Sequence, residues 1–542
     1  MMGKQPPRQA KLFYYQLSLE DRIPQDHLLR TIQTIVDFNF TYGLVEKHYG
    51  LNGNVSVPPP VILKLMLLLF LYDVSSEREL MRSLQYRLDW LWFLGYDLDS
   101  EMPNHSILSK ARRRWGSYVF ETVFARGVAQ CVQAGLVNGR KIHMDGSLVD
   151  ANASNNSVCK GPEVLIERLR QELRGEMVKL EDQESPPPTL DPAVGPEFPE
   201  PSTSSEPSSQ ALSEPAAPPC HGTKKYYYRK NRGLVSTTDP DAAMVRKGPQ
   251  GSRARYKHHR AVDDLCGVIT AVETTAADVE ENARLMALVD QHEKNTSCPV
   301  ETVVADKQYG TVENFRACQQ RGLISHMADL SLSHTQRPRN ERIFGIEQFT
   351  YDPRSDTYCC PAGQALTRRK HKKQRQAYEY ACAASICRAC SLRGQCTQAQ
   401  GGVARTIKRH YDQEAIDAAR EHSHSRAAQR DRRRRTWLME GSFADAATHH
   451  GFKRARWRRL WRQRIQDLLI AMVQNLRILV RHAGRRVRGA CSQAMGQAAP
   501  AVNVFIATLG FYTDLLMISV ESLLSICLFY SRQRLPTRNV HL

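Results

Sequence analysis

Cysteine is scarce for a chain of this length, with 14 among 542 residues, and more than half of these lie scattered singly. This distribution excludes a disulfide framework. The first fifteen residues also lack the apolar segment of a secretory signal. We therefore expect a reducing, cytoplasmic setting, in which clustered cysteines bind metal or act in catalysis.

Acidic residues are too few to balance the basic ones: 56 Asp and Glu accompany 75 Lys and Arg, which leaves a net charge of +19. Most of this excess lies between Arg405 and Arg488, where 22 Lys and Arg accompany 8 Asp and Glu. Such a surplus favours a polyanionic partner, either nucleic acid or an acidic membrane surface. Binding to nucleic acid through the basic run at 430–464 is expected to weaken steeply with salt.

An uninterrupted apolar run long enough to span a bilayer is also missing. The most apolar stretch, Val504–Tyr530, contains Asp514 and Glu521, with only Leu515–Val520 between them. A span needs ~20 apolar residues, and a charge at the bilayer centre costs ~2.5–3.5 kcal/mol on insertion scales. We therefore expect a packed or self-associating amphipathic helix here, and no membrane partner.

The remaining sequence predicts a mixed α/β protein. Before residue 128, apolar residues recur at helical spacing, as at Leu28, Ile32 and Ile35. Short apolar runs of period 2 then predict strands, at 141–149, 266–273 and 300–306. Helices are predicted between and after these runs, near Val279–His292 and Thr311–Arg321. This alternation is typical of an α/β core.

The chain exceeds the ~250–300 residues of a single hydrophobic core, and we divide it into five segments. One interruption is clear, because Pro186–Pro219 holds 11 prolines in 34 residues and no Lys or Arg, which predicts disorder. The segments are a helical DNA-binding domain at 1–127, the first part of the core at 128–330 with a disordered loop at 183–222, a cysteine-rich insert at 331–404, C-terminal helices of the core at 405–482, and a tail without an assigned role at 483–542.

The end of the first segment is similar to a helix-turn-helix unit. A helix start at 103–106 leads into the basic residues Arg112, Arg113 and Arg114. In such units the second helix enters the major groove and its cations contact phosphates. A helical domain with a solvated basic face is an equally weighted interpretation.

Six cysteines cluster within 38 residues, and two of them form the CysArgAlaCys unit at 387–390. Tetrahedral zinc needs four such ligands. The preferred quartet is Cys360, Cys387, Cys390 and Cys396, with Cys382 or Cys359 as substitutes. A structural Zn²⁺ site is the leading hypothesis, and free thiols or redox chemistry are the alternatives.

Three carboxylates are candidates for metal-dependent chemistry. Asp145 and Asp306 each end an apolar run predicted to be a strand, and carboxylates at strand ends can meet at one edge of a sheet. Glu440 lies between two arginine-rich runs, where an acid is usually a simple ion-pair partner. If its helix packs beside the sheet, Glu440 can instead complete a site for Mg²⁺, which prefers carboxylate and phosphate oxygens.

Several motifs in this order resemble the bacterial insertion-sequence transposases of the DDE class, over roughly residues 15–482. The motifs are HisMetAspGlySerLeuValAsp (143–150), TyrLysHisHisArgAlaValAsp (256–263), ValValAlaAspLysGlnTyrGlyThr (303–311), the cysteine insert and GluGlySerPhe…GlyPheLysArgAlaArg (440–456). The resemblance implies an RNase H-like core whose Asp145, Asp306 and Glu440 hold Mg²⁺ or Mn²⁺. It also implies N-terminal helices that bind terminal inverted repeats, and a nucleoid-associated protein.

The implied activity is metal-dependent cleavage at the element's ends, followed by strand transfer into target DNA, by at least a homodimer because two ends are cut. An inactive or domesticated DNA-binding protein and a metal-dependent nuclease remain the alternatives. Asp150 and Asp263 are competing acids, and Tyr309 is expected to contact the DNA. Ala447 stands where related elements often have a basic residue, so Lys453 or the arginines that follow it are expected to contact the phosphate. The DNA-binding candidates of this region are Lys453, Arg454, Arg456, Arg458 and Arg459.

Overall fold

The computed structural model describes residues 2, 4, 18–50, 55–183, 233–247, 251–328, 343–373, 376–399 and 401–482, without the side chains of 176–183. The chain divides into two units, Met1–Ile478 and Leu479–Leu542, and every feature below belongs to the first. The loop predicted at 183–222, beyond Gln183, and the tail predicted at 483–542 lie outside the described residues.

Helices precede the first strand of the described chain. They are α1 (Leu19–Arg22), α2 (Leu28–Ile35), α3 (Phe40–Val45), α4 (Pro59–Leu71), α5 (Glu77–Leu84), α6 (Leu88–Leu94) and α7 (Ser106–Gln133). The sequence signals are local: Ser76 caps α5 by accepting from the Glu79 amide, and Gly95 ends α6 with φ 78°. The last helix, α7, extends past the segment boundary predicted at 127.

The centre of this helical part is α4. Its first turn contains Pro59 and Pro60, where a missing N–H removes no helical hydrogen bond. Residues 59–70 are all buried, and a helix that is apolar on every side must lie inside the protein. The one charge in it, Lys64, donates to the Phe93 carbonyl oxygen at 2.8 Å.

Two sheets follow in the next part of the chain. Their strands are β1 (Lys141–Asp150), β2 (Val158–Lys160), β3 (Leu234–Ser236), β4 (Ala243–Arg246), β5 (Ser252–Asp263), β6 (Ile269–Ala276), β7 (Thr302–Val304) and β8 (Ile324–His326). Strands β2 and β3 form a separate antiparallel pair, and the others form one six-stranded mixed sheet. In it β5 pairs antiparallel with β1, β4 and β6, whereas β1, β7 and β8 pair in parallel. The predicted α/β class is confirmed.

Helices α9 (Leu285–Thr296) and α10 (Val312–Gln320) cover the six-stranded sheet and close its core, whereas α8 (Glu163–Gln183) packs against β3 of the two-stranded sheet. Leu288 and Val289 of α9 and Phe315 of α10 pack with Ile142 and Val303 from the neighbouring strands β1 and β7. Burial of these side chains stabilises the sheet by about 1.5–3 kcal/mol for each large apolar residue.

The cysteine-rich segment forms a third sheet, which is antiparallel. Its strands are β9 (Thr350–Asp352), β10 (Thr357–Cys359), β11 (Ala365–Lys372), β12 (Ala377–Ala381) and β13 (Thr406–His410), and two short helices, α11 (Ala384–Arg388) and α12 (Arg393–Cys396), lie between the last two strands. Strand β13 begins after the boundary predicted at 404, so this sheet includes residues that the sequence assigned to the next segment.

The last helices return to the central sheet. They are α13 (Gln413–His424), α14 (Arg426–His449) and a helix over 460–478, α15. Polar contacts fix α14: Asp431 pairs with Lys141 of β1 at 2.9 Å and with His326 of β8 at 2.8 Å. Within the described ranges no helix combines the length and the apolarity needed to cross a membrane.

Candidate active site

Strand register brings Asp145 and Asp306 together. Strands β1 and β7 run in parallel, with His143 opposite Val304. Asp145 lies two residues beyond His143 and Asp306 lies two residues beyond Val304, so the two carboxylates occupy equivalent places on neighbouring strands. They interact electrostatically. This is the part of the predicted triad that the fold brings together.

The two strands end differently from the prediction. Asp306 follows β7 and accepts a hydrogen bond from the Lys307 amide at the start of a 3₁₀ turn, Lys307–Tyr309. Asp145, however, does not end its strand, because β1 continues to Asp150 in register with β5. The expectation that both acids end strands is therefore wrong for Asp145, since β5 extends the ladder beyond the point where β7 stops.

A basic residue of α14 contacts Asp145. Arg435 Nη1 donates to Asp145 Oδ2 at 2.8 Å, and the Gly146 amide donates to Oδ1 at 2.8 Å. Burial raises the pKa of Asp145, whereas Arg435 opposes this shift and nearby Asp306 adds to it. Negative charge at this place is therefore costly, and a cation placed here stabilises it.

Glu440 is not beside the aspartates. Its side chain is exposed and makes no hydrogen bond or ion pair with any described residue. The buried positions of α14 include Asp431, Met439 and Ala446, and Glu440 points ~100° away from Met439 around the helix. The helix packs beside the sheet, as the hypothesis required, but Arg435 and not Glu440 reaches Asp145.

The competing acids have structural roles. Asp150 pairs with Arg255 at 2.6 Å and with Arg253 at 3.4 Å. Asp263 is fully buried and accepts hydrogen bonds from the backbone amides of Asn138, Gly139 and Leu265. These contacts agree with their ranking below Asp145 and Asp306.

Two further groups lie at the aspartate pair. Glu281, in the 3₁₀ turn that follows β6, interacts electrostatically with both Asp145 and Asp306. Its segment, ValGluGluAsnAla (279–283), carries no motif, so the sequence does not single out Glu281. Tyr309 is fully buried, so the prediction that it contacts DNA is wrong for this conformation: its ring packs in the core behind the site.

The chemistry of this donor set suits a hard divalent cation, since carboxylate oxygens are the ligands that Mg²⁺ prefers. Asp145, Asp306 and Glu281 supply such oxygens within electrostatic reach of one another. Among the residues that the structure describes, however, no three His, Cys, Asp or Glu side chains are arranged so that they could hold a metal ion together. Ligation here requires side-chain movement, beginning with the Arg435 contact to Asp145.

The arginines predicted in the first segment point in different directions. Arg112 is buried, with Nη1 2.5 Å from Glu77 Oε1 and its guanidinium 3.7 Å from the centre of the Trp457 ring. A buried guanidinium cannot reach a phosphate, so the assignment of Arg112 to DNA binding is corrected to a structural role. Arg113 is half-buried, and Arg114 is exposed over the Tyr49 ring.

The basic loop at 453–459 borders the candidate site. Its backbone pairs with the end of β1, since the Asp150 amide donates to the Lys453 carbonyl and the Ala455 amide donates to the Asp150 carbonyl. Lys453 Nζ donates to Ser147 Oγ at 2.8 Å, two residues from Asp145 on the same strand. The side chain of Lys453 is therefore near the aspartates.

Not every cation of this loop faces solvent. Arg454 and Arg458 are exposed. Arg459 is buried and pairs with Asp241 at 3.2 Å, which corrects its assignment to DNA binding. Arg456 pairs with Asp73 at 2.7 Å and joins the loop to the N-terminal helices. Two of the five predicted cations of this loop, Arg456 and Arg459, thus form ion pairs within the protein.

Five cysteines lie together at the sheet formed by β9–β13. They line one pocket: Cys360, Cys382, Cys387, Cys390 and Cys396. Burial raises the pKa of Cys387, to which Cys382 and Cys396 also contribute. Cys359 is exposed, and its thiol faces the Cys360 carbonyl. The predicted quartet therefore lines one pocket, and of its two substitutes Cys382 is the one at the pocket. Within the described residues these thiols do not form a group close enough to hold a metal ion as they are placed.

Two family models match the chain. The Transposase domain (DUF772) matches residues 17–114, which are the helices up to the start of α7. The Transposase DDE domain matches residues 359–480, which include the cysteine pocket and Glu440. Asp145 and Asp306 lie between the two matches. No curated protein matches the chain.

Both matched regions are similar to transposase domains, in the order expected from the motifs. These matches support the resemblance to the insertion-sequence transposases of the DDE class.

Proposed function

We propose that the chain is a DNA transposase that cuts DNA at the ends of its element and joins the freed ends to target DNA. The observation that carries this proposal is the proximity of Asp145 and Asp306, each two residues beyond a matched position of the parallel strands β1 and β7 and within electrostatic reach of the other. The mixed sheet, with antiparallel β6, β5 and β1 continued by parallel β7 and β8, supports an RNase H-like core.

The reaction needs two transfers at phosphorus. In the first, water attacks the phosphodiester, the P–O3′ bond breaks, and the element's strand is left with a 3′-OH. In the second, this 3′-OH attacks a target phosphodiester, a new P–O bond forms, and the target's own 3′ oxygen leaves. No covalent protein intermediate is required.

The chain's residues have distinct parts in this scheme. Asp145, Asp306 and Glu440 would hold Mg²⁺ or Mn²⁺, which supplies Lewis-acid polarisation of the phosphodiester and neutralises developing charge. Arg435 leaves Asp145 for a DNA phosphate, and Glu440 turns toward the sheet by rotation of its side chain or of α14. Lys453, held beside β1 through Ser147, contacts the phosphate backbone.

Cleavage of labelled DNA tests the proposal. The DNA carries the ends of the element, the reaction contains Mg²⁺, and the proteins are wild type, Asp306→Asn and Asp290→Asn. Asp290 is an exposed aspartate on α9 that pairs with Arg321, so it serves as the matched control. We expect wild type and Asp290→Asn to cut at the ends, and Asp306→Asn to bind without cutting, with a rate loss of at least ~10³-fold.

Each alternative has its own outcome. Binding by all three proteins without cutting favours an inactive or domesticated DNA-binding protein, and cutting without joined products favours a nuclease. Cutting that persists in Asp306→Asn or in EDTA contradicts the proposal.

We also infer a structural zinc site in the cysteine pocket. Thiolates are the ligands of closed tetrahedral zinc sites, and the pocket brings five cysteines to one place. We expect about one zinc per chain by mass spectrometry, lost in the double variant Cys387→Ser/Cys390→Ser and kept in Cys159→Ser, whose cysteine lies on β2. Zinc-free wild-type protein that stays folded contradicts this inference.

A further inference from the structure

A glycine lets Glu281 approach the aspartate pair. Gly146 directly follows Asp145 on β1, and a Cβ atom built there would lie 3.0 Å from Glu281 Cδ and 3.2 Å from Oε1. Few real Cβ atoms come so close to another group, so any other residue here would displace the Glu281 carboxylate by a few tenths of an ångström. The turn at Glu281–Arg284 thus places a third carboxylate against the backbone next to Asp145.

Cations compensate the charge of this cluster from two sides. Lys257 Nζ lies 3.6 Å from Glu281 Oε1 and donates to the Val279 carbonyl at 2.8 Å. Arg435 contacts Asp145. Burial raises the pKa of Glu281, Lys257 opposes this shift, and Asp145 and Asp306 add to it. The three carboxylates therefore share one electrostatic environment.

The buried hydroxyl of Tyr309 lies within electrostatic reach of the same three carboxylates. The Tyr309 side chain is fully buried, and its hydroxyl has no hydrogen-bond partner among the described residues. It interacts electrostatically with Glu281, Asp145, Arg435 and Asp306. Leaving such a group unpaired costs about 1–3 kcal/mol, and a neutral phenol has a proton to donate. This donor is placed for an acceptor within the acidic cluster.

We propose that Glu281 is a further acidic residue of the active site, which holds the divalent cation together with Asp145 and Asp306, and that Tyr309 is a positioning residue whose hydroxyl donates to this cluster. The inference rests on the proposed function, because it assumes that the aspartate pair binds a cation. It adds one ligand from the turn after β6 and one donor from the core.

Binding of Mn²⁺ to the full chain without DNA tests Glu281. Free Mn²⁺ is measured by electron paramagnetic resonance for wild type, Glu281→Gln, Glu281→Asp, Asp306→Asn and Glu313→Gln. Glu313 is an exposed residue of α10 and serves as the matched control. We expect Glu281→Gln to weaken Mn²⁺ binding by about tenfold or more, Glu281→Asp to weaken it less, and Glu313→Gln to leave it unchanged.

The outcomes distinguish a failure of the inference on Glu281 from a failure of the proposed function. If Asp306→Asn weakens binding and both Glu281 variants bind like wild type, the inference on Glu281 is overturned while the aspartate site stands. If Asp306→Asn and Glu281→Gln both bind like wild type, the cation site itself fails. Thermal unfolding without metal shows whether each variant is folded, and Glu281→Asp keeps the test open if the glutamine variant is not.

Tyr309→Phe tests the hydroxyl separately, because the ring and its packing remain. We expect Mn²⁺ binding to weaken about fivefold, the loss expected for one hydrogen bond. The metal-free unfolding midpoint should not fall, since the hydroxyl has no partner among the described residues. A lower midpoint with unchanged Mn²⁺ binding would make Tyr309 a purely structural residue and overturn its part of the proposal.

Discussion

The acidic residues of the candidate site and the basic residues around it differ in how the backbone positions their side chains. Asp145 and Asp306 are far apart in sequence, yet parallel strands place them side by side. Arg112 and Arg114 are two residues apart, yet one is buried against Trp457 and the other is exposed. Strand register joins remote residues, whereas the turn of a helix separates neighbours.

The same contrast holds within the loop at 453–459. Arg458 is exposed and donates to the Asn152 carbonyl, whereas Arg459, the next residue, is buried beside Asp241. A run of arginines in a sequence therefore measures positive charge but does not show which side chains can reach DNA. The burial of each side chain divides the run into cations that bind within the protein and cations that remain available to a partner.

The largest effect that this contrast predicts is on stability. Arg112→Ala removes the partner of Glu77, whose side chain is itself mostly buried. Breaking a buried pair in this way costs about 3–5 kcal/mol. Arg114→Ala removes only an exposed cation over the Tyr49 ring, worth about 0.5–1 kcal/mol. Urea unfolding followed by circular dichroism measures both losses.

Similar losses for the two variants would break the comparison. Unchanged stability in Arg112→Ala, together with weaker DNA binding, would restore Arg112 as a DNA-binding residue.

A smaller effect is expected on DNA binding. Arg458→Ala should weaken binding and reduce the slope of log K against log salt by about 0.9, because one phosphate contact is lost. Arg459→Ala should leave the slope unchanged and lower the unfolding midpoint, because its guanidinium is paired with Asp241 inside the protein. Fluorescence anisotropy over a series of salt concentrations measures the slopes.

Arg459→Ala provides the internal control for this measurement, since both variants lose one positive charge. Equal slopes for the two variants would mean that net charge, and not the position of each side chain, determines DNA binding.

The sequence predicted those parts of the fold that depend on short-range patterns. Apolar runs of period 2 located β1 and β7, and the predicted helix at Thr311–Arg321 is confirmed as α10. The two aspartates could be selected because each directly follows apolar residues of such a run, although Asp145 lies within β1 and only Asp306 follows its strand. Their proximity then follows from parallel pairing, which the run itself does not show.

The sequence did not predict β5, although this strand pairs with three others in the six-stranded sheet. Its residues 258–260 are His, His and Arg, and all three are fully buried. Residues far along the chain stabilise these buried side chains: His258 pairs with Asp467, and Arg260 Nη1 donates to Ser442 Oγ at 2.8 Å. A hydrophobic pattern cannot show hydrogen bonds between remote elements, so a polar strand of this kind is missed.

Glu440, Glu281 and Arg435 show that the sequence does not predict which side chains reach the candidate site. The sequence left open whether the basic helix packs beside the sheet. The helix does so, but the sequence could not show which of its side chains would face Asp145. Glu281 lies in a turn without periodicity, and only the three-dimensional contact with Gly146 brings it to the site.

The most direct test of the account is a change of metal specificity at the aspartate pair. In Asp145→Cys and Asp306→Cys a soft thiolate replaces a hard carboxylate, and thiolates prefer softer ions than Mg²⁺. DNA cleavage by each variant is measured in Mg²⁺ and in Mn²⁺, with wild type in both ions. The account predicts that both variants fail in Mg²⁺ and regain cleavage in Mn²⁺. Variants that cut in Mg²⁺ like wild type, or that stay inactive in Mn²⁺ while folded and bound to DNA, would contradict a shared metal site at Asp145 and Asp306.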